Sequence, residues 1–443
     1  MRPALGLAER GITRRDLGRM ALGAWLGVAG TPRNSAAAAQ SPRWRADFPA
    51  LNQMVGGQRL AYLDSAATTQ RPTAVIEALA TYDQRDNANP GRTLHALARR
   101  AYEQYEGARR TVSEFVHASD PEEIVWTRGT TESINLVATA WGRTRLKPGD
   151  EVLLTLAEHA SNLLPWRLVA EQTGAAVRYV VVDEAGRVLM DDLQRKLSRR
   201  TRLFAFSHVS NVAGYVNPAA ALCALAQQSG ARVLIDAAQS APHVPLDVQA
   251  LGCDFLAFSS HKMLGPMGTG VLWARRELLD EMAPYQAGSN MAHQVDQTSQ
   301  EFEHAAHKFS AGTPNVSGAV GLAAAVRYLG SEGRPAIERH EGELTRYALD
   351  RLTEVPGLRL LGPRSPERRI PVFSFVLAGY SPAEILTHLD SRGIAVRAGD
   401  LAALPLLEHF GVTAAARASC YLYTETSELD RLATALHELA RTT

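Results

Sequence analysis

The chain contains few cysteines and few lysines. Its 443 residues include only 3 cysteines and 4 lysines, while arginine fills nearly every other basic position. Cys223, Cys253 and Cys420 are too few and too scattered in sequence for a disulfide framework or a zinc site. We therefore expect the cysteines to be small core residues.

No excess of charge of one sign is present. The chain carries 47 basic and 46 acidic residues, for a net charge of +1, and 46% of its residues are hydrophobic. Such a balance does not favour nucleic acid or an anionic membrane surface as a partner. It is typical of a soluble globular protein, and the length allows two domains, each with its own core.

The chain also has no apolar run of the roughly 20 residues that cross a bilayer. At the N-terminus, Arg14-Arg15 precedes an apolar stretch over Met20–Gly30 and the small-residue segment Ser35–Gln40. This pattern predicts a twin-arginine export signal over residues 1–39, cleaved near Ala39. The protein would then be periplasmic and free of the membrane. The alternative is a leader that tethers the protein to the membrane or is merely disordered.

From about residue 60, short apolar runs alternate with helical patterns. Continuous apolar strands separated by helices predict an α/β fold with a mainly parallel sheet covered on both faces. We predict an N-terminal arm over residues 40–60, a large domain over 61–318 and a smaller C-terminal α+β domain over 319–443. The seven strands predicted for the large domain are Ile124–Thr127, Glu151–Leu156, Val177–Val182, Arg202–Ser207, Arg232–Ile235, Phe255–Ser259 and Gly270–Ala274.

One of the four lysines follows directly after a predicted strand. Lys262 comes three residues after Phe255–Ser259, and ligands of open α/β sheets bind at the carboxyl ends of the strands. Burial and nearby cations lower the pKa of an amine, which leaves it neutral and nucleophilic. Taken alone, Lys262 is equally compatible with a strand cap whose amine reaches water.

Polar residues follow four other predicted strands. Thr130 and Thr131 open a helix where a phosphate can bind, although threonine is also an ordinary N-cap. His159 can stack on a planar ring or cap a loop, and Asn211 offers a hydrogen-bond donor. Asp236 can keep a pyridine nitrogen protonated, or cap the next helix. Together with Lys262, these groups are the parts that a pyridoxal-phosphate site requires.

The sequence resembles the class V aminotransferase-fold enzymes, and within them the cysteine desulfurase and selenocysteine lyase branch. The resemblance runs from Tyr62–Ala67 to near the C-terminus. Its other markers are Arg128–Glu132, His208–Asn211, Asp236 with Gln239, Ser259–Lys262 and Ala311–Asn315.

The resemblance implies a fold-type I enzyme with a seven-stranded, mainly parallel sheet and pyridoxal 5'-phosphate as its cofactor. Lys262 would form the aldimine, Asp236 would pair with the pyridine nitrogen, and His159 would stack on the ring. The other implied contacts are Asn211 and Gln239 to the ring oxygen or the substrate, and Thr130, Thr131, Ser259 and His261 to the phosphate.

The resemblance also assigns residues to the substrate and to a second subunit. Arg417 would clamp the substrate α-carboxylate, with Arg397 close to it. Thr313 would reach the phosphate of the neighbouring subunit, which implies a homodimer.

One departure from the family pattern concerns the reaction itself. The family carries a persulfide-forming cysteine shortly after the residue that matches Arg397, and here that position is Ala402. The side chain of an alanine has no nucleophilic atom. Cys420, three residues beyond Arg417 on a predicted strand, should point to the opposite face. Cys223 falls in a predicted helix and Cys253 precedes a strand, so neither is a better substitute.

Three functions remain open from the sequence. The leading hypothesis is an exported pyridoxal-phosphate enzyme that acts on the α-amino group of an amino acid or peptide-like metabolite, by transamination, decarboxylation or elimination. The second is a cysteine or selenocysteine lyase that works without a persulfide cysteine. The third is a non-catalytic cofactor-binding protein, which the intact Lys262, Asp236, His159 and Arg417 argue against.

Overall fold

The computed structural model describes residues 42–91 and 95–441. The predicted export signal, its cleavage site near Ala39 and the first two residues of the predicted arm lie outside these ranges. Within them, no helix has both the length and the apolar character needed to cross a membrane.

Three short strands precede the large sheet. The three N-terminal strands are β1 (Met54–Val55), β2 (Gln58–Arg59) and β3 (Ala61–Tyr62). The strands of the large sheet are β4 (Ile124–Thr127), β5 (Glu151–Thr155), β6 (Ala176–Val180), β7 (Thr201–Ser207), β8 (Arg232–Asp236), β9 (Phe255–Ser259) and β10 (Gly270–Ala274).

These seven strands form one sheet in the order β4-β10-β9-β8-β7-β5-β6. Strands β5 to β9 pair in parallel, and β10 runs antiparallel to both β9 and β4. Strands β5 and β9 are buried along their whole length. Burial on both faces explains why the strands have continuous apolar sequences, and the predicted seven-stranded, mainly parallel sheet is confirmed.

The C-terminal part contains a second sheet. Beyond the hairpin of β11 (Ala292–Val295) and β12 (Gln300–Phe302), the remaining strands are β13 (Leu358–Leu361), β14 (Val372–Leu377), β15 (Ile394–Ala395), β16 (Arg397–Gly399) and β17 (Ala415–Ser419). Four of them pair in the order β13-β14-β17-β16. Strands β15 and β16 are separated by a single residue but belong to different sheets, because β15 pairs with β3 whereas β16 pairs with β17.

Helices cover both sheets. They are α1 (Thr73–Arg85), α2 (Ala96–Phe115), α3 (Thr130–Val137), α4 (Arg143–Arg145), α5 (Leu164–Thr173), α6 (Met190–Lys196), α7 (Ala219–Gln228), α8 (Ser240–His243), α9 (Val248–Leu251), α10 (Arg276–Glu281), α11 (Val316–Glu332), α12 (Arg334–Thr353), α13 (Pro382–Asp390), α14 (Leu404–His409) and α15 (Thr426–Ala440). In α2, buried residues recur at helical spacing from Ala98 to Val112, which gives the helix one apolar face.

The predicted arm packs against the C-terminal part of the chain. Arg45 is buried and forms ion pairs with Glu425 at 3.3 Å and Glu428 at 3.0 Å. The indole of Trp44 donates a hydrogen bond to Glu332 at 2.8 Å. The boundary predicted between residues 318 and 319 stays a prediction.

Candidate active site

A pocket of about 490 Å³ lies at the carboxyl ends of the large-sheet strands and is closed on one side by β16 and β17. The parallel topology carries the polar residues that follow β4, β5, β7, β8 and β9 to one edge of the sheet. Every predicted site residue except Thr313 lines this pocket: Thr130, Thr131, His159, Asn211, Asp236, Gln239, Ser259, His261, Lys262, Arg397 and Arg417.

Lys262 ends a short turn that follows β9 directly. The pKa of its amine is lowered from 10.5 to about 8, mainly because the amine is buried; Asp236 opposes this shift, and the nearby Arg417 guanidinium contributes to it. Much of the amine is therefore neutral near pH 8. This is the environment that a nucleophilic lysine requires.

Asp236 is the last residue of β8 and is buried. One of its carboxylate oxygens accepts a hydrogen bond from the Ala238 N–H at 2.9 Å. Burial raises the pKa of this carboxyl, whereas that hydrogen bond and Lys262 lower it. Gln239, one turn further, donates to the Ala66 carbonyl at 2.8 Å.

Hydroxyl groups gather where α3 begins. The Ser259 hydroxyl accepts a hydrogen bond from the Thr130 N–H at 2.8 Å and lies 2.7 Å from the Thr130 hydroxyl. Thr131 and Ser161 pair their hydroxyls at 2.8 Å. A helix N-terminus surrounded by hydroxyls attracts an anion such as phosphate. Ser161 lines the pocket as well, and no sequence motif had marked it.

His159 and the residue before it have opposite environments. His159 lines the pocket, and its Nδ1 accepts a hydrogen bond from the Ser161 N–H at 3.1 Å. Burial, Lys262 and Arg417 lower the pKa of its imidazole to about 4, so the ring is neutral at pH 7. A neutral ring can stack on another planar ring.

Behind His159, the Glu158 side chain is completely buried. Its carboxyl accepts hydrogen bonds from Asn162 at 2.7 Å and Ser207 at 2.8 Å, and a third from Thr155. Burial raises the pKa of Glu158 to about 7, and Asp236 adds to the shift. The sequence pattern gave Glu158 no role.

Two arginines face each other across β16 and β17. Arg397 and Arg417 are directly paired in the strand register. The Asp64 carboxylate bridges them, 2.6 Å from Arg397 and 3.5 Å from Arg417. Arg417 is buried and its Nε has no hydrogen-bond partner among the described residues, whereas half of the Arg397 side chain is exposed. Arg417 can therefore bind a carboxylate in a dry environment, where such a contact is strong.

A tight turn over residues 400–403 forms the last wall. The Ala403 N–H donates to the Asp400 carbonyl at 3.0 Å, and Leu401 and Ala402 both have positive φ, 51° and 52°. The turn is attached to the segments that follow β5 and β7, because the Ala160 N–H donates to the Ala402 carbonyl at 2.7 Å and the Asn211 amide donates to the Leu401 carbonyl at 2.9 Å. The Asn211 amide, predicted to contact a cofactor or substrate, thus holds this turn.

Thr313 does not belong to the pocket. It is exposed, lines a separate cavity, and accepts a hydrogen bond from the Asn89 amide at 3.2 Å. Its predicted contact with a neighbouring subunit stays a prediction.

Comparison with known proteins shows what kind of enzyme has this pocket. The family described as aminotransferase class V matches residues 61–432. The chain belongs to this family. It is 46% identical over 391 residues to a probable cysteine desulfurase of Halalkalibacterium halodurans, covering 88% of this chain and 96% of the relative.

Two solved structures of cysteine desulfurases have the same fold as this class V chain. The apo enzyme from Thermococcus onnurineus has a TM-score of 0.87 and 35% identity, covering 92% of this chain and 100% of that one. The Escherichia coli enzyme in an S-sulfonic acid form has a TM-score of 0.82 and 40% identity, covering 90% and 98%.

Pyridoxal phosphate is the cofactor of this class V enzyme. The pocket fits the cofactor, because buried polar atoms are left for it to satisfy. Within the described ranges, Gln239 Oε1 and His261 Nδ1 are buried without a hydrogen-bond partner. Burial lowers the pKa of His261 to about 4, so its imidazole is neutral. Lys262 and Asp236 would hold the two ends of the ring system, with the hydroxyls at α3 around the phosphate.

Proposed function

We propose that the protein is a pyridoxal-phosphate-dependent lyase that breaks the Cβ–S bond of cysteine or the Cβ–Se bond of selenocysteine without passing the heteroatom to a cysteine of its own. The observation that carries the proposal is Ala402, which lines the same pocket as Lys262 and Arg417. From the resemblance to cysteine desulfurases we expect the sulfur acceptor at this position, and the methyl group of an alanine cannot attack sulfur. The names of the relatives support the substrate class.

The cysteines of the chain do not replace the missing acceptor. All three lie in the described ranges, all are buried, and none lines the pocket. Cys420, considered as a substitute, packs in the apolar cluster of the C-terminal sheet. Burial raises the pKa of Cys223 to about 12 and raises the pKa values of Cys253 and Cys420 as well. Thiols of this kind stay protonated and unreactive at neutral pH.

The pocket residues have separate roles in an elimination. Arg417 binds the substrate α-carboxylate through charge-assisted hydrogen bonds and fixes the Cα–H bond in the pocket. Lys262, once neutral, accepts the Cα proton as a general base. The bound cofactor supplies the electron sink. The Cβ–S bond breaks with its electron pair on sulfur, so that cysteine and water give pyruvate, ammonia and hydrogen sulfide.

The test is a product analysis of purified, cofactor-loaded protein with L-cysteine and L-selenocysteine. We expect pyruvate and ammonia in amounts equal to the sulfide or selenide released. A variant with all three cysteines changed to alanine should give the same products. Stoichiometric alanine together with a persulfide on the wild-type protein would contradict the proposal and indicate an ordinary desulfurase.

Transamination or decarboxylation of another amino acid is the second candidate. Ala402 favours it, because the pocket contains no thiol that would indicate a sulfur-containing substrate. These reactions would use the same Lys262, Asp236 and Arg417. They would leave cysteine unchanged and convert a different amino acid to a keto acid or an amine, which mass spectrometry of the products distinguishes.

We also propose that the enzyme is exported and works as a homodimer. Arg14-Arg15, the apolar Met20–Gly30 stretch and the small residues that follow support export. The exposed position of Thr313 outside the pocket supports a role toward a second subunit. Cell fractionation with and without an Arg14→Lys/Arg15→Lys change tests export. Sedimentation of the purified protein tests whether it is a homodimer.

A further inference from the structure

Asp400 is a pocket residue without an assigned role. It is exposed at the rim and lines the pocket beside Arg397, Leu401 and Ala402. Its Oδ1 accepts a hydrogen bond from the Ala402 N–H at 3.0 Å, and Oδ2 has no partner in the described part of the chain. One carboxylate oxygen is therefore available to a ligand.

The cationic side chains of the pocket lie near anions other than Asp400. Arg397 and Arg417 both pair with Asp64, and Lys262 lies near Asp236. His159 is neutral at pH 7 because its pKa is about 4. Within the described ranges, Asp400 lines the pocket and forms no ion pair.

The position of Asp400 relative to Ala402 indicates which part of a ligand it meets. A substrate held by its α-carboxylate at Arg417 and its amino group near Lys262 extends its side chain toward Ala402, where the resemblance places the sulfur acceptor. Asp400 begins the tight turn whose third residue is Ala402, so the two lie within one turn of each other. A substituent on the substrate sulfur would therefore extend past Ala402 toward Asp400, which lines the same pocket.

We propose that Asp400 is a specificity-determining residue that selects β-substituted amino acids whose leaving group carries a cationic nitrogen. This inference rests on the proposed lyase function and names its substrate class. A substituted sulfur, as in a mixed disulfide, leaves as a persulfide and needs no acceptor thiol. Elimination with one water gives the persulfide, pyruvate and ammonia, so neither oxidant nor reductant is consumed.

Three mixed disulfides of L-cysteine test the charge preference, with cysteamine as the cationic, 2-mercaptoethanol as the neutral and 3-mercaptopropionate as the anionic partner. We expect kcat/KM for pyruvate release to be about fivefold higher for the cationic than for the neutral compound, as for one exposed ion pair, and lowest for the anionic one. Asp400→Asn keeps an acceptor for the Ala402 N–H and removes the charge, so the preference should vanish. Asp400→Glu should retain it.

The control variant is Asp350→Asn, which removes an exposed charge on α12 outside the pocket and should keep the wild-type preference. A wild-type enzyme without charge preference, or an Asp400→Asn variant that retains it, would overturn the inference.

A binding readout separates this inference from the proposed function. S-(2-aminoethyl)-L-cysteine and S-(2-hydroxyethyl)-L-cysteine are thioethers with poor leaving groups, and their binding can be followed by calorimetry. We expect the cationic thioether to bind about fivefold more tightly to the wild type and equally to Asp400→Asn. If neither L-cysteine nor any of the disulfides is eliminated, the lyase function fails, while the affinity ratio still decides the role of Asp400.

Discussion

The two walls of the pocket differ in how far they follow the family pattern. The wall from the large sheet contains Thr130, His159, Asp236 and Lys262, the residues to which the resemblance assigns the cofactor contacts. The opposite wall, from the C-terminal sheet and the turn over residues 400–403, contributes both arginines and Ala402, the position where the resemblance to cysteine desulfurases led us to expect a thiol. In the proposed function, cofactor binding and the fate of the sulfur are therefore determined on different elements of the fold.

Removing Lys262 should have the largest effect, because in the proposed function its amine both binds the cofactor and carries the proton. For Lys262→Ala we expect turnover to fall by about 10³-fold or more. Pyruvate release and cofactor absorbance measure the change. Lys147→Ala alters an exposed lysine outside the pocket and should behave as wild type. Retained turnover in Lys262→Ala would mean that the cofactor wall does not perform the chemistry.

Variants of Arg417 and Arg397 allow a buried and a half-exposed side chain on the same wall to be compared. Two charge-assisted hydrogen bonds lost from a dry site should lower kcat/KM by about 100-fold in Arg417→Met. Arg397→Met should lower it by about fivefold, since solvent weakens its contacts. Steady-state kinetics with cysteine give both values. Equal losses in the two variants would show that burial does not set their contributions.

The cofactor wall should also show a characteristic pH dependence. Only the neutral amine of Lys262 reacts with the cofactor aldehyde, and its pKa is lowered from 10.5 to about 8. The rate of cofactor capture by the apoenzyme should therefore rise with pH, with its midpoint near pH 8, and level off at higher pH, as stopped-flow absorbance can record. Asp236→Asn removes an anion that raises this pKa, so its midpoint should be lower. A wild-type midpoint near 10.5 would contradict the proposed environment.

Glu158, behind the cofactor wall, should affect stability rather than turnover. Its pKa is raised in the folded state from 4.5 to about 7, so the folded protein holds a proton that the unfolded chain releases. Stability should fall as pH rises from about 4.5 to 7, by on the order of 1 to 3 kcal/mol.

Urea unfolding of the apoprotein at several pH values measures this stability change. Glu158→Gln cannot ionise and should remove that part of the slope. The exposed Glu343→Gln should retain it. Parallel pH profiles for wild type and Glu158→Gln would contradict the shift.

The strand-end residues could be predicted because parallel topology places consecutive strand ends at one edge. The contact made by Asp64 and the burial of Glu158 could not be predicted. Asp64 meets Arg397 across 333 positions of sequence, and no local pattern encodes such a contact. The burial of Glu158 depends on Asn162 and Ser207, which look like ordinary polar residues in sequence. The split between β15 and β16 depends on pairing with β3, which lies more than 300 residues earlier.

Restoring a thiol at Ala402 tests most directly whether this position decides the fate of the sulfur. After reaction with L-cysteine, Ala402→Cys should carry an additional sulfur atom in intact-protein mass spectrometry and form alanine. Ala403→Cys, at a buried neighbour outside the pocket, should not. The wild type should remain unmodified and release sulfide with pyruvate. A persulfide on the wild-type protein, formed with stoichiometric alanine, would contradict the proposed role of Ala402.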